Sequence, residues 1–122
     1  MDEPEDLTAE ERDELRADLI ELRGLLTGAV AAGAQSSKPV ELDQSSVGRL
    51  SRMDAMQVQQ MAKASLHSHE LRLEQVAQAL RLMDGDDYGI CRRCEEPIGF
   101  RRLKARPETP FCLRCQGASE SR

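Results

Sequence analysis

The chain has 122 residues, a formal net charge of −5, no Trp, and only Tyr88, Phe100 and Phe111 as aromatics. One domain's worth of chain with so few rings argues against a sheet-built core and for helix-on-helix packing, which buries little surface and calls for an added staple. No apolar run approaches membrane-spanning length and the N-terminus is acidic, so the sequence predicts no membrane anchor and no secretory signal, and places the protein in the cytoplasm, where thiols stay reduced.

Residues 1–7 read as a disordered acidic lead. Thr8-Ala9-Glu10-Glu11 has the form of a capping box, with Thr8 as N-cap and Glu11 reaching back to it. Leu15, Leu19, Leu22 and Leu26 follow at steps of four, three and four, a heptad seam. Gly24, Gly28 and Gly33 each weaken a helix by about 1 kcal/mol relative to Ala, so the first helix is expected to fade between Gly28 and Ala34. Gln35-Ser36-Ser37-Lys38-Pro39 opens a loop, because proline pushes the residue before it out of the helical region.

Helicity is expected to resume between Ser46 and Ser51, with Ser51-x-x-Asp54 as a second, less regular capping box. From Leu50 to Met83 there is neither Pro nor Gly. The predicted seam is clear at Leu66, Leu73, Val76, Leu80 and Met83, and looser at Leu50, Met53, Met61 and Ala64. Gly85 offers a C-terminal cap. The fold class expected is mainly α: a long antiparallel two-helix coiled-coil hairpin over residues 8–85, with a tip loop at about 35–48, followed by a small C-terminal four-cysteine module over 86–122.

Charge is divided unevenly. Residues 1–24 hold ten acidic side chains against three basic ones, whereas Cys91 to Cys115 spans seven basic against three acidic. An acidic chain with one basic end is a poor general nucleic-acid binder, since such binding scales with phosphates neutralised. A protein partner is favoured.

Cys91-Arg92-Arg93-Cys94 and Cys112-Leu113-Arg114-Cys115 form two C-x-x-C pairs separated by 17 residues. Two intervening residues make a tight knuckle that puts both sulfurs on one edge of a tetrahedron, and the spacer lets the pairs meet around one Zn2+ ion. Such a site is closed to water and substrate, so the zinc is structural. A redox dithiol lacks its βαβ setting here, two disulfides suit the cytoplasm badly, and an iron–sulfur cluster is the remaining competitor for four thiolates. His67 and His69, two apart, point to different faces of a helix and make no ligand pair. Asp84, Asp86 and Asp87 read as a turn rather than a cation site.

Asp87-Tyr88-Gly89-Ile90-Cys91-x-x-Cys94, Glu96-x-Ile98-Gly99, Arg101-Arg102-Leu103-x-Ala105-Arg106-Pro107 and Cys112-x-x-Cys115-Gln116 together resemble the four-cysteine zinc finger of the DksA/TraR family. The hairpin before them is similar to the coiled coil of its longer, DksA-like members. The resemblance implies a bacterial transcription regulator that binds RNA polymerase without a DNA site and without catalytic activity of its own. The coiled coil then enters the secondary channel while the globular base grips the channel rim.

The family's acidic D-x-x-D-x-A tip pattern does not occur in Leu42–Ala55. Asp43 and Asp54-Ala55 are the acidic candidates there, and Arg49 and Arg52 add charge that an anionic surface can meet. Two readings of Asp54 stay open, a regulatory contact and a helix cap. The basic run Arg101, Arg102 and Lys104 on the finger reads as a solvated surface, with partner contact as the alternative that the family resemblance strengthens, Arg101 and Arg102 being its candidate residues. A monomer is expected. The rival function is a zinc ribbon that binds nucleic acid or another protein without regulating polymerase.

Overall fold

A computed structural model describes residues 5–36 and 49–120, and the side chains within that range except those of Ser36, residues 49–52 and residues 119–120. It contains α1 (Ala9–Ser36), α2 (Arg49–Asp84), α3 (Phe100–Ala105) and α4 (Leu113–Glu120), with no strand among the described residues beyond an isolated antiparallel bridge between Ile90 and Pro97. No described helix is long and apolar enough to cross a membrane.

The capping box forms as its residues dictate. Thr8 Oγ1 accepts from the Glu11 amide at 3.1 Å, and Glu11 Oε1 accepts from the Thr8 amide at 2.9 Å. Two of the amides that open α1 thereby find partners without water. Just before the cap, Leu7 packs on the finger: a Cβ built on Gly89 lies 3.1 Å from Leu7 Cδ1. Gly89 also has φ +94, so both its backbone and its neighbour require glycine.

Helices α1 and α2 run antiparallel, as contacts along their length show. Near the finger, Arg12 Nη2 donates to the Met83 carbonyl at 3.2 Å and to Asp86 Oδ1 at 3.3 Å, and Arg16 meets Asp84 at 3.5 Å. Farther out, Gly33 faces Leu66, with 3.2 Å between a Cβ built there and Leu66 Cδ1. The α1 seam is the expected one, with Leu15, Leu19 and Leu26 buried and Leu22 half-buried.

Four local expectations are corrected. α1 does not fade at Gly28–Ala34 but continues to Ser36. Glycine's intrinsic cost is offset there by helix pairing, since Gly33 permits a close approach to Leu66 that a larger residue obstructs. α2 begins at Arg49, so Ser51 lies inside the helix and is not its cap. The outer part of the α2 seam is Ala55, Gln59, Ala62 and Leu66, all half-buried, while Met53, Met61 and Ala64 are exposed. At the end of α2, the left-handed residue is Asp86 (φ 62) rather than Gly85. Asp tolerates that conformation better than most side chains, and its carboxylate is engaged by Arg12.

The finger shares its core with the base of the hairpin. Leu15 and Leu19 of α1, Val76, Ala79 and Met83 of α2, and Tyr88, Ile98 and Leu103 beyond them form one buried cluster that also includes Cys91 and Cys115. Lys104 of α3 reaches α1, with Nζ 2.7 Å from Glu14 Oε1 and 2.8 Å from Asp18 Oδ2. Arg72 of α2 reaches the finger at Glu108. The module straddles both helices.

Candidate metal centre

The first thiol pair sits on a knuckle built by local hydrogen bonding. The Cys91 amide donates to the Glu96 carbonyl at 2.9 Å, the Ile98 amide to the Gly89 carbonyl at 2.8 Å, and the Glu95 amide closes a turn on the Cys91 carbonyl at 2.9 Å. Glu95 takes a positive φ of 62 to make that turn. The second pair is delivered by Cys112, just before α4, and Cys115 inside it, with the Gln116 amide donating to the Cys112 carbonyl at 2.9 Å. Arg92 N–H donates to the Pro110 carbonyl at 2.9 Å and so joins the first knuckle to the strand of chain leading into the second.

All four cysteines are free thiols, and their sulfurs lie within 4.8 Å of one another. The Cys94 and Cys112 sulfurs are 3.8 Å apart. A tetrahedral ion with bonds of about 2.3 Å sets its sulfur ligands about 3.8 Å apart, so this edge already has the length that zinc needs. Cys91 and Cys115 are buried, while Cys94 and Cys112 are half-buried.

The electrostatics make the same point. Burial pushes the Cys91 thiol up, but the backbone amides of Cys112, Cys94 and Arg93, with the Cys94 side chain, outweigh it and hold the thiol down at about 6. Cys115 is pushed up to about 12 by its hydrogen bond with Cys112, by burial, and by the other sulfurs around it. Cys91 thus gives up its proton readily and Cys115 reluctantly. A divalent cation removes that conflict by compensating all four sulfurs together. Arg114 stands outside the cluster, its guanidinium pushed up by hydrogen bonding to Cys94.

The residues therefore fit one structural zinc ion held by Cys91, Cys94, Cys112 and Cys115. When bound, zinc fixes the two knuckles to each other; with four protein ligands it keeps no position for a reacting molecule.

The other sequence-designated residues fall at two separate places. Asp43 lies outside the described residues. Arg49 and Arg52 belong to the first turn of α2, Asp54 is exposed one turn on, and Ala55 is half-buried toward the seam. Arg101 is exposed and Arg102 half-buried on α3, with Arg102 Nε buried and lacking a hydrogen-bond partner in the structure. The rest of α2 from Asp54 to Asp84, about 45 Å of helix, runs from the first group to the base of the hairpin.

Sequence reasoning missed Glu108 and its partner Arg72. Glu108 is 2 % exposed, and its Oε2 accepts from Arg72 Nε at 2.8 Å. Its signal was faint: it is the one acidic residue between Pro97 and Ser119.

A helical hairpin closed at its base by a four-thiol cluster defines the class, a zinc-finger protein with a coiled-coil stalk. Residues 86–121 match the family described as prokaryotic dksA/traR C4-type zinc finger. The C-terminal module therefore resembles a finger of that type. It is 40% identical over 50 residues to the RNA polymerase-binding transcription factor DksA of Haemophilus influenzae, covering 41% of this chain and 34% of that protein. Against the protein of the same name from Escherichia coli K12 the identity is 34% over 50 residues, covering 41% and 33%. The matched part of the chain thus spans about a third of the length of these curated relatives. The structure of transcription factor DksA2 from Pseudomonas aeruginosa superposes with a TM-score of 0.64 at 23% identity, covering 93% of this chain and 85% of that one. That likeness extends the shared fold from the finger to the hairpin.

Proposed function

We propose that this chain is a cytoplasmic transcription regulator that binds RNA polymerase through its secondary channel, reads no DNA sequence, and catalyses no reaction. One observation carries the reading: a dksA/traR finger at residues 86–121 is joined, in one chain, to a fold like that of DksA2 over 93% of its length. The geometry supports it. An α2 of 36 residues is about 54 Å long, enough to carry a tip far from a base that rests on a rim. In this reading Asp43, Arg49, Arg52, Asp54 and Ala55 are the tip contacts, and Arg101 and Arg102 serve at the base. The protein acts as a monomer.

The test is capture of purified RNA polymerase by the zinc-loaded chain, with Asp54→Asn alongside. The expected result is polymerase capture by both proteins and altered initiation in vitro that Asp54→Asn changes, since an exposed side chain inside an established helix leaves folding intact. No capture at micromolar protein overturns the proposal. A second reading, a nucleic-acid-binding zinc ribbon, is favoured by the exposed Arg92, Arg93, Arg101 and Arg114 on the finger. It requires a gel shift with DNA at low salt that weakens steeply as salt rises.

A further inference from the structure

The chain from Arg106 to Cys112 is the covalent route by which the second thiol pair reaches the first. Its middle is more deeply buried than its ends, with Pro107, Glu108 and Thr109 all inside. Glu108 is the unusual member. Its side chain is wholly withdrawn from solvent, Oε2 is 2.8 Å from Arg72 Nε and 3.5 Å from Arg106 Nε, and Oε1 has no hydrogen-bond partner in the structure. The two guanidinium groups beside it are what allow this side chain to be buried.

Arg72 belongs to the stalk. It lies twelve residues before the end of α2, about 18 Å along the helix, so the segment folds back beside α2. On its other side the same segment is bonded to the first knuckle, through the Arg92 amide to Pro110 and the Tyr88 hydroxyl to the Pro107 carbonyl at 2.8 Å. Thr109 stiffens the exit toward Cys112, its Oγ1 accepting from the Phe111 amide at 3.3 Å. The 3.8 Å approach of Cys112 to Cys94 is therefore set by a segment anchored on the hairpin.

We propose that Arg72 and Glu108 are positioning residues for the zinc site, so that an ion pair on the stalk and the metal in the finger stabilise each other. Zinc affinity is then a property of the joined hairpin and finger, and metal binding in turn tightens the finger on α2 by the same factor. The proposal is independent of polymerase binding. Lys104 supplies the control: it ties the finger to α1 through Glu14 and Asp18, at a point ahead of the segment that ends in Cys112.

The experiment is competition of the full chain against a chromophoric chelator for zinc alone, at fixed pH and salt. Arg72→Ala and Glu108→Gln are each expected to weaken zinc binding about tenfold, the low end for residues that orient metal ligands, because Arg106 remains near Glu108. The double variant is expected to lose no more than either single one, since both remove one interaction. Arg72→Lys keeps the charge without the planar fork and is expected to recover part of the loss. Lys104→Ala is expected to stay within about twofold of the parent, outside the range of such coupling. Single variants that match the parent overturn the proposal. So does a Lys104→Ala loss equal to that of Arg72→Ala, or a double variant whose losses multiply. If Arg72→Ala fails to fold in saturating zinc, the isosteric Glu108→Gln decides the matter, and unchanged affinity there overturns it.

Discussion

Tyr88 stands where the hairpin passes into the finger, 5 % exposed, with its hydroxyl donating to the Pro107 carbonyl at 2.8 Å. Burial, aided by the charges of Glu108 and Asp18, raises its pKa above the usual tyrosine value of 10.0. Below that value the phenol is neutral folded and unfolded, so its contribution to stability is whole. Above it the unfolded chain ionises while the folded one does not, and stability falls by about 1.4 kcal/mol per pH unit until the folded phenol ionises too. Tyr88→Phe should cost about 1–2 kcal/mol near neutral pH, through the lost hydrogen bond. That deficit should shrink, then reverse, in urea titrations carried from pH 8 to beyond pH 11. The clasp of Lys104, whose pKa is raised by hydrogen bonds to Asp18 and Glu14, also weakens with alkali, but it does so in both proteins and leaves the difference intact. A constant gap between the two proteins across that range contradicts a buried, neutral phenol. At this scale the four cysteines were legible because few residue types bind zinc and their spacing is narrow. Glu108 was not, because what distinguishes it is a partner 36 residues away.

Legibility at the level of the helices depended on whether a feature was local. The Thr8–Glu11 box and the Leu15–Leu26 seam are written within a few residues of themselves, and both appear as expected. The far end of α1 depends on what lies opposite it. Summed propensities favour an early end at the glycines, whereas pairing with α2 continues the helix to Ser36. The outer α2 seam was misread for a related reason: Met and Ala suit either face of a helix, so composition does not say which face is turned inward. A substitution series separates the two effects. A Cβ at Gly24 or Gly28 meets nothing within 4 Å, so Gly24→Ala and Gly28→Ala should each stabilise the protein by about 1 kcal/mol. Gly33→Ala should gain less or lose, because its Cβ lies 3.2 Å from Leu66 Cδ1. Denaturation midpoints of the three variants check this. Equal gains at all three positions would mean that α1 and α2 do not meet at Gly33.

Among the described residues, hairpin and finger share one apolar cluster, and this determines how metal loss propagates. Cys91 and Cys115 are themselves members of the cluster, beside Tyr88 and Leu103 of the finger and Leu15, Leu19 and Val76 of the helices. A two-helix hairpin of this size has little core of its own, while a structural zinc contributes on the order of 10 kcal/mol of apparent binding free energy to a small module. Removing zinc therefore takes away the organiser of a surface against which the base of the hairpin packs. A strong chelator should lower the far-UV helical signal by more than the finger's share. α3 and α4 hold 6 and 8 residues against 28 and 36 in α1 and α2, under a fifth of the helix. Cys91→Ser should behave like the chelated protein even in excess zinc, because it deletes one of four ligands and places a hydroxyl at a fully buried position. Circular dichroism with and without zinc measures both. If the loss stops at the share of α3 and α4, the hairpin stands without its finger, and the shared cluster is a contact between two independent bodies rather than a common core.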